Sequence, residues 1–414
     1  MLQVVVIGAG QAGLSAAGQL VRKGLRPWRD FVVLDGNDGP GGAWRHRWDS
    51  LTFDAAHGIH DLPGFPLGDP DPQEPASRVV SRYYGVYERE LDLPVVRPAP
   101  VVTVTTEAGE YLVTTADGTV WRSRSVISAT GTWNRPYLPA YPGRERFAGR
   151  QLHTRDFIAA EDFAGQRVLV VGGGTSALQF ILQLEAAGAS TVWSTRRAPD
   201  WTDRFFDKSW GVEVEASVSG RTTMGLPPLS VVAATGLPVT EQYLAGLRSG
   251  ILVSRGPILR LTTDGAVLDG PGPHGSRAPS QGSVADRILA APDAQPMRRL
   301  PGRTLEATEA PGTVQPATMQ PTATTGSADP DTAWQTPVDT ILWATGFRAA
   351  LDHLRPLRLR ERGGGITMAA DGVSVAARPG LFLVGYGASA STIGATRAGR
   401  AAGAQAFRGT LSAV

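Results

Sequence analysis

Gly8-Ala9-Gly10-Gln11-Ala12-Gly13 is the first stretch whose residue types and spacing could do chemistry. It follows a β-branched run, Val4 to Ile7, and opens an Ala/Leu-rich pattern that extends to Lys23. In that setting the first glycine permits a tight strand-to-helix turn. The second removes a side chain that would block a diphosphate, and the third lets the helix approach the sheet. The diphosphate then sits on free N–H groups at the helix N-terminus. Asp35 stands 22 residues beyond Gly13, at the end of the strand-like run Val32-Val33-Leu34. A carboxylate there accepts hydrogen bonds from the ribose hydroxyls of an adenine dinucleotide.

The pattern returns 164 positions after Gly8, as Gly172-Gly173-Gly174-Thr175-Ser176-Ala177. The strand that follows, Val192-Trp193-Ser194, runs on into Thr195-Arg196-Arg197 rather than an acid. A carboxylate at this place would repel a 2′-phosphate, whereas a guanidinium pairs with it bidentately. Solvated surface arginines are the competing reading of Arg196 and Arg197. One acidic and one basic ribose partner predict FAD and NADPH on the same chain. Together these cofactors imply hydride transfer from nicotinamide to flavin.

These turns need sheets to hold them. The expected fold class is α/β: two Rossmann-type dinucleotide-binding domains, the NADPH domain inserted into the FAD domain, plus a small antiparallel β meander. Val101–Thr106, Tyr111–Thr115 and Val120–Val126 alternate and are split by Glu107-Ala108-Gly109 and Ala116-Asp117-Gly118, which gives the meander. Ser128-Ala129-Thr130-Gly131 follows it, and Thr340 to Gly346 looks like its partner near the far end. Leu381 to Gly385 reads as a last strand, and a small-residue helix runs from about Ile393 to Phe407. The expected domains are residues 1–140 (FAD, first part), 141–335 (NADPH) and 336–414 (FAD, second part). Residues 271–330 hold 10 of the 31 prolines and no Phe, Trp or Tyr. A segment so poor in apolar surface is expected to be an irregular insertion.

Composition narrows the function. The 414 residues carry a formal charge of +2, which is no electrostatic grip for nucleic acid. Cysteine is absent, which excludes a thiolate nucleophile, a Cys-ligated zinc and a redox dithiol within these residues. No metal site is expected within these residues. The apolar stretch Val4 to Val21 is interrupted by glycines, glutamines and a serine, unlike a membrane span. A cytoplasmic location is expected. The expected partners are a small-molecule substrate and O2, with a homodimer as a candidate assembly and neither nucleic acid nor membrane.

Phe147-Ala148-Gly149-Arg150-Gln151-Leu152-His153-Thr154-Arg155-Asp156-Phe157, just before the second glycine turn, fits the fingerprint FxGxxxHxxx(Y/F). Gly41-Gly42-Ala43-Trp44, Ala129-Thr130-Gly131 with Trp133, and Ala344-Thr345-Gly346-Phe347 add to it. With these motifs the chain resembles the flavin-containing monooxygenases, the class B type with two dinucleotide-binding domains. The resemblance covers most of residues 1–265 and 336–414. It implies that Gly8, Gly10, Gln11, Ala12, Gly13, Asp35, Gly42, Ala43 and Trp44 contact FAD. It places Thr130, Gly131, Thr345 and Gly346 at the domain crossing, and Gly385 and Thr392 near the flavin ring. Gly172, Gly174, Thr175, Ser176, Arg196 and Arg197 would hold NADPH. Phe65, Trp201, Phe205 and Phe206 are candidates for a substrate pocket or for plain core.

The resemblance also implies a reaction. NADPH reduces FAD, reduced flavin and O2 form a C4a-(hydro)peroxyflavin, and its terminal oxygen passes to a nitrogen or sulfur nucleophile. A flavin reductase or oxidase without oxygenation, and a Baeyer–Villiger ketone monooxygenase, are the alternatives. The Baeyer–Villiger motif ends in Trp followed by Pro or Asp; here the end is Phe157-Ile158. Many members have an asparagine near the flavin that helps activate oxygen, and residues 53–60 contain none. Either the role is absent or His57 or His60 fills it. With His153, the linker histidine of the fingerprint, these are the catalytic candidates.

Overall fold

The computed structural model describes residues 1–56, 59–202, 218–228, 236–270, 333–390 and 392–411. His57, Phe205, Phe206 and the segment 271–330 lie outside the described residues.

The first sheet grows from β1 (Leu2–Ile7), α1 (Gln11–Arg22) and β2 (Phe31–Leu34), a βαβ start. After α2 (Ala76–Glu90) come β3 (Val95–Val96), β4 (Val101–Glu107), β5 (Glu110–Thr115) and β6 (Val120–Ser128). Their order across the sheet is β3-β2-β1-β6-β5-β4. β6 does two jobs: its first residues pair antiparallel with β5, and Ser123 to Ser128 pair parallel with β1. Val4, Val5 and Val6 are fully buried, as a central parallel strand covered on both faces requires.

A second parallel sheet holds β7 (Arg150–His153), β8 (Arg167–Val171), α3 (Thr175–Ala186) and β9 (Ser190–Ser194). Beside it, β10 (Ile258–Leu261), β11 (Gly265–Asp269) and β12 (Ala333–Pro337) form an antiparallel trio. β13 (Thr340–Trp343) then enters the second sheet between β7 and β8. The second sheet therefore extends past the 335/336 boundary drawn from the sequence. Leu342 and Trp343 pair with Val170 and Val171, and no partner of β13 lies in the first sheet. The chain returns to the first sheet only with β14 (Leu381–Leu383), which pairs with β6.

The last helix, α4 (Thr392–Leu411), lies against α1. A Cβ on Gly399 would come within 2.3 Å of the Ala12 carbonyl oxygen, so the small residues of α4 set how closely the two helices approach. The two halves are joined by packing as well as by chain. Trp48, Leu51 and Ala76 come from the first half but are buried in the core built on α3 and β8. Among the described residues no helix is long and apolar enough to cross a membrane, and no cluster of side chains could hold a metal ion.

Candidate functional site

The first glycine turn opens onto a cavity of about 530 Å³. Gly8 has φ +99°, and its N–H donates to the Leu34 carbonyl at 2.7 Å. Gly13 faces back into the turn, where a Cβ would lie 1.8 Å from the Gly8 oxygen. Gly10 is different. A Cβ there would have Gly42 Cα, 3.9 Å away, as its nearest neighbour, and would otherwise enter the cavity. Gln11, the first residue of α1, follows Gly10 without a side-chain cap, and the first turn holds no acid. The N–H groups and the positive end of the helix are thus available to an anion. The cavity is lined by Gly8, Gly10, Gln11, Ala12, Asp35, Gly42, Ala43, Trp44, Thr130, Gly131 and Gly385. Thr392 is the first residue of α4.

Asp35 forms the far wall and is only 4 % exposed. Its Oδ2 accepts a hydrogen bond from Arg97 Nε at 2.7 Å, and its Oδ1 accepts from Asn37 Nδ2 at 3.2 Å. The same guanidinium grips Glu88 with both terminal nitrogens, at 2.6 and 2.7 Å. Burial pulls Arg97 down, but its bonds to Glu88 and Asp35 outweigh burial and hold it above its ordinary pKa. This network fixes the buried carboxylate at the cavity wall.

The second turn repeats the geometry. Gly172 (φ +148°) donates to the Ser194 carbonyl at 3.0 Å, which ties the turn to the end of β9. A Cβ on Gly174 would meet nothing within 4 Å, so the approach to α3 is open. Thr175 and Ser176 form the uncapped first turn of α3, again without an acid. Just past β9, Thr195 Oγ1 donates to the Arg197 carbonyl at 2.6 Å and lies 2.6 Å from Ser254 Oγ. Arg196 and Arg197 are left exposed at the rim.

Between the turns, two linkers run side by side. Thr130 Oγ1 donates to the Ala350 carbonyl at 2.7 Å, Ala350 N–H to Gly131 at 2.9 Å, and Thr345 Oγ1 to the Tyr137 carbonyl. His153 clamps this crossing. Its Nε2 donates to the Gly346 carbonyl at 3.0 Å, while its Nδ1 accepts from Arg155 N–H at 3.1 Å. Burial lowers its pKa, and a ring that donates from Nε2 and accepts at Nδ1 is the neutral tautomer with its proton on Nε2. Among the described residues His60 Nε2 is buried without a partner, and His60 is not part of the cavity lining.

Sequence reasoning missed His353. It lines the cavity, is 6 % exposed, and its Nε2 lies 3.0 Å from Ser128 Oγ. No motif marks it; it arrives from the short 3-10 helix Asp352–Leu357, 225 residues from Ser128. Burial pushes its pKa from 6.5 down to about 4. The unfolded chain therefore takes up this proton first as pH falls. The stability His353 contributes is complete above pH 6.5 and shrinks as pH falls toward about 4. The loss amounts to about 3 kcal/mol at 1.36 kcal/mol per unit. His353→Gln should flatten denaturant-measured stability across that window; an unchanged slope would remove His353 as its source.

Two glycine turns, each following a parallel-paired strand and opening a helix, with an acidic residue near one and basic residues near the other, have the form of two dinucleotide-binding units. The pyridine nucleotide-disulphide oxidoreductase family profile matches residues 5–217. A flavin-containing monooxygenase from Stenotrophomonas maltophilia is 30 % identical, with 98 % of both chains covered and a TM-score of 0.70. An indole-3-pyruvate monooxygenase of Oryza sativa subsp. japonica (YUCCA1) is 32 % identical over 188 residues, 45 % of either chain. An uncharacterized oxidoreductase of Bacillus velezensis (CzcO) is 28 % identical over 184 residues, 44 % of this chain and 52 % of that one. The chain thus spans about half the length of the curated relatives it matches. It belongs to the pyridine nucleotide-disulphide oxidoreductase family, in its flavin-containing monooxygenase branch. Membership in this family implies FAD and NADPH as cofactors.

Proposed function

We propose that the protein is an NADPH- and O2-dependent monooxygenase that adds one oxygen atom to a small substrate bearing nitrogen or sulfur. The observation that carries this reading is the likeness to the Stenotrophomonas maltophilia enzyme along 98 % of both chains. The absence of cysteine argues against the dithiol chemistry that the family name suggests. The fingerprint end Phe157-Ile158 supports nitrogen or sulfur over ketone substrates.

The residue roles follow the geometry. The first turn of α1, with Gly8, Gly10 and Gly13, takes the FAD diphosphate, and Asp35 accepts its ribose hydroxyls. The opening of α3, with Gly172, Gly174, Thr175 and Ser176, takes NADPH, and Arg196 and Arg197 take its 2′-phosphate. In the domain arrangement we favour, the NADPH unit runs from about residue 141 to the crossing at Thr345-Gly346, because β13 pairs in the second sheet. When bound, flavin reduced by NADPH supplies the activation of O2. The chain's own part is to bind, orient and keep the centre dry. Trp44 and Trp133 wall the cavity with indole, and His153 fixes the crossing at Gly346.

The test is a panel of amines, sulfides, ketones and indole-3-pyruvate, with NADPH consumption and product mass followed together. A sulfide or amine product heavier by one oxygen is expected. NADPH consumption that yields only hydrogen peroxide across the panel would overturn the oxygenase reading.

A further inference from the structure

Arg47 has no task in the cofactor sites. It follows the one-turn helix Trp44–His46, shortly after Gly42. Its guanidinium lies over three indoles, 4.4 Å from the Trp133 ring centre, 5.7 Å from Trp44 and 5.8 Å from Trp48. Trp44 and Trp133 also line the cavity. Trp48 packs the other way, on Phe157 and Phe180 in the core of the second half. The cation therefore sits at the seam between the two dinucleotide units.

Indole faces attract a cation, but they offer no in-plane acceptor for its N–H groups. Arg47 Nε is buried and unpaired, and among the described residues no carboxylate forms an ion pair with this side chain. Desolvation pushes its pKa down to about 10, which still leaves it charged at neutral pH. Among the described residues, Trp48 Nε1 beside it and Trp201 Nε1 in the same core are buried donors without an acceptor as well. Buried donors normally find partners, because an unpaired one has given up water for nothing. A fixed cation with donors around it and no acceptor calls for a ligand rich in acceptors.

We infer that Arg47 binds an oxyanion at this seam, either the carboxylate of a small organic-acid substrate or a phosphate of the nicotinamide cofactor. The inference rests on the monooxygenase reading and adds a ligand class to it. A planar guanidinium meets a carboxylate or phosphate with two parallel hydrogen bonds. The indoles would hold the apolar body of a substrate acid.

Calorimetric titration of the FAD-loaded protein separates the two sources. The probes are (phenylthio)acetate, its neutral counterpart (phenylthio)acetamide, and NADP+. If the carboxylate is the ligand, the acid binds about 10- to 100-fold tighter than the amide, the range for one charge-assisted bond. Arg47→Met then abolishes that preference and leaves NADP+ affinity unchanged. If a phosphate is the ligand, Arg47→Met weakens NADP+ by a similar factor and the acid shows no advantage. Charge-blind binding of the acid together with unchanged NADP+ affinity in Arg47→Met overturns the inference. Should Arg47→Met not fold, Arg47→Gln is read the same way, because it removes the charge and the planar pair of cationic donors but keeps a polar side chain. These are binding readouts, so a failure of oxygen transfer and a failure at Arg47 remain distinguishable.

Discussion

Gly10→Val yields a folded, colourless protein. The backbone at Gly10 has φ −82° and ψ −173°, an extended conformation that valine adopts without strain. The nearest protein atom to the new Cβ is Gly42 Cα at 3.9 Å, so the chain itself has room for the first carbon. The remaining space is the cavity proposed to take the FAD diphosphate. Filling it leaves the fold intact and removes the ligand. Over-packing of a fitted site costs roughly 1–3 kcal/mol, and each 1.4 kcal/mol is about a factor of ten in affinity. Bound flavin should fall below about a tenth of the wild-type content on this scale, read from visible absorbance of the purified protein. Gly13→Val is the contrast. Its Cβ would stand 1.8 Å from the Gly8 oxygen, a backbone clash that no side-chain rotation relieves. That variant should lose its fold, with circular dichroism separating it from Gly10→Val. A yellow Gly10→Val would falsify the assignment of the first turn.

The difference between these two glycines shows what a sequence can and cannot tell. Spacing alone assigned one glycine to the ligand and one to helix–sheet packing, because the strand, turn and helix that carry them are contiguous. The meander was legible for the same reason: Val101 to Ser123 pair with near neighbours across short turns. Pairing over long separations was not. β12 joins β11 only after residues 270–332 have intervened, and β13 reaches β7 and β8 across more than a hundred and fifty residues. Four buried residues, Thr-Ile-Leu-Trp, suit a central strand of either sheet, so local pattern could not choose between them. The site followed the same rule. Asp35 was visible, but the Arg97 that orients it lies 62 residues away beside Glu88. His353 meets Ser128, and Arg47 meets Trp133, only because segments distant in the chain come together, and no spacing announces either contact.

The second large effect concerns the choice between the two nicotinamide coenzymes. Arg196→Ala combined with Arg197→Ala should raise the Michaelis constant for NADPH by about 10- to 100-fold and leave that for NADH nearly unchanged. The two coenzymes differ by one phosphate, so only residues that face it can separate them. Gly172 anchors the end of β9 to the turn through the Ser194 carbonyl, and Thr195 is held by Ser254, so the two arginines leave the fold from a fixed point. Both side chains are exposed, so their removal empties no core and should leave thermal stability within about 0.5 kcal/mol. Exposure also keeps the expected effect at the lower part of the range for charge-assisted hydrogen bonds, and makes it shrink as salt is raised. Equal losses with NADPH and NADH, or a loss insensitive to ionic strength, would mean that the arginines only decorate the rim. A selective, salt-sensitive loss would place the 2′-phosphate on them.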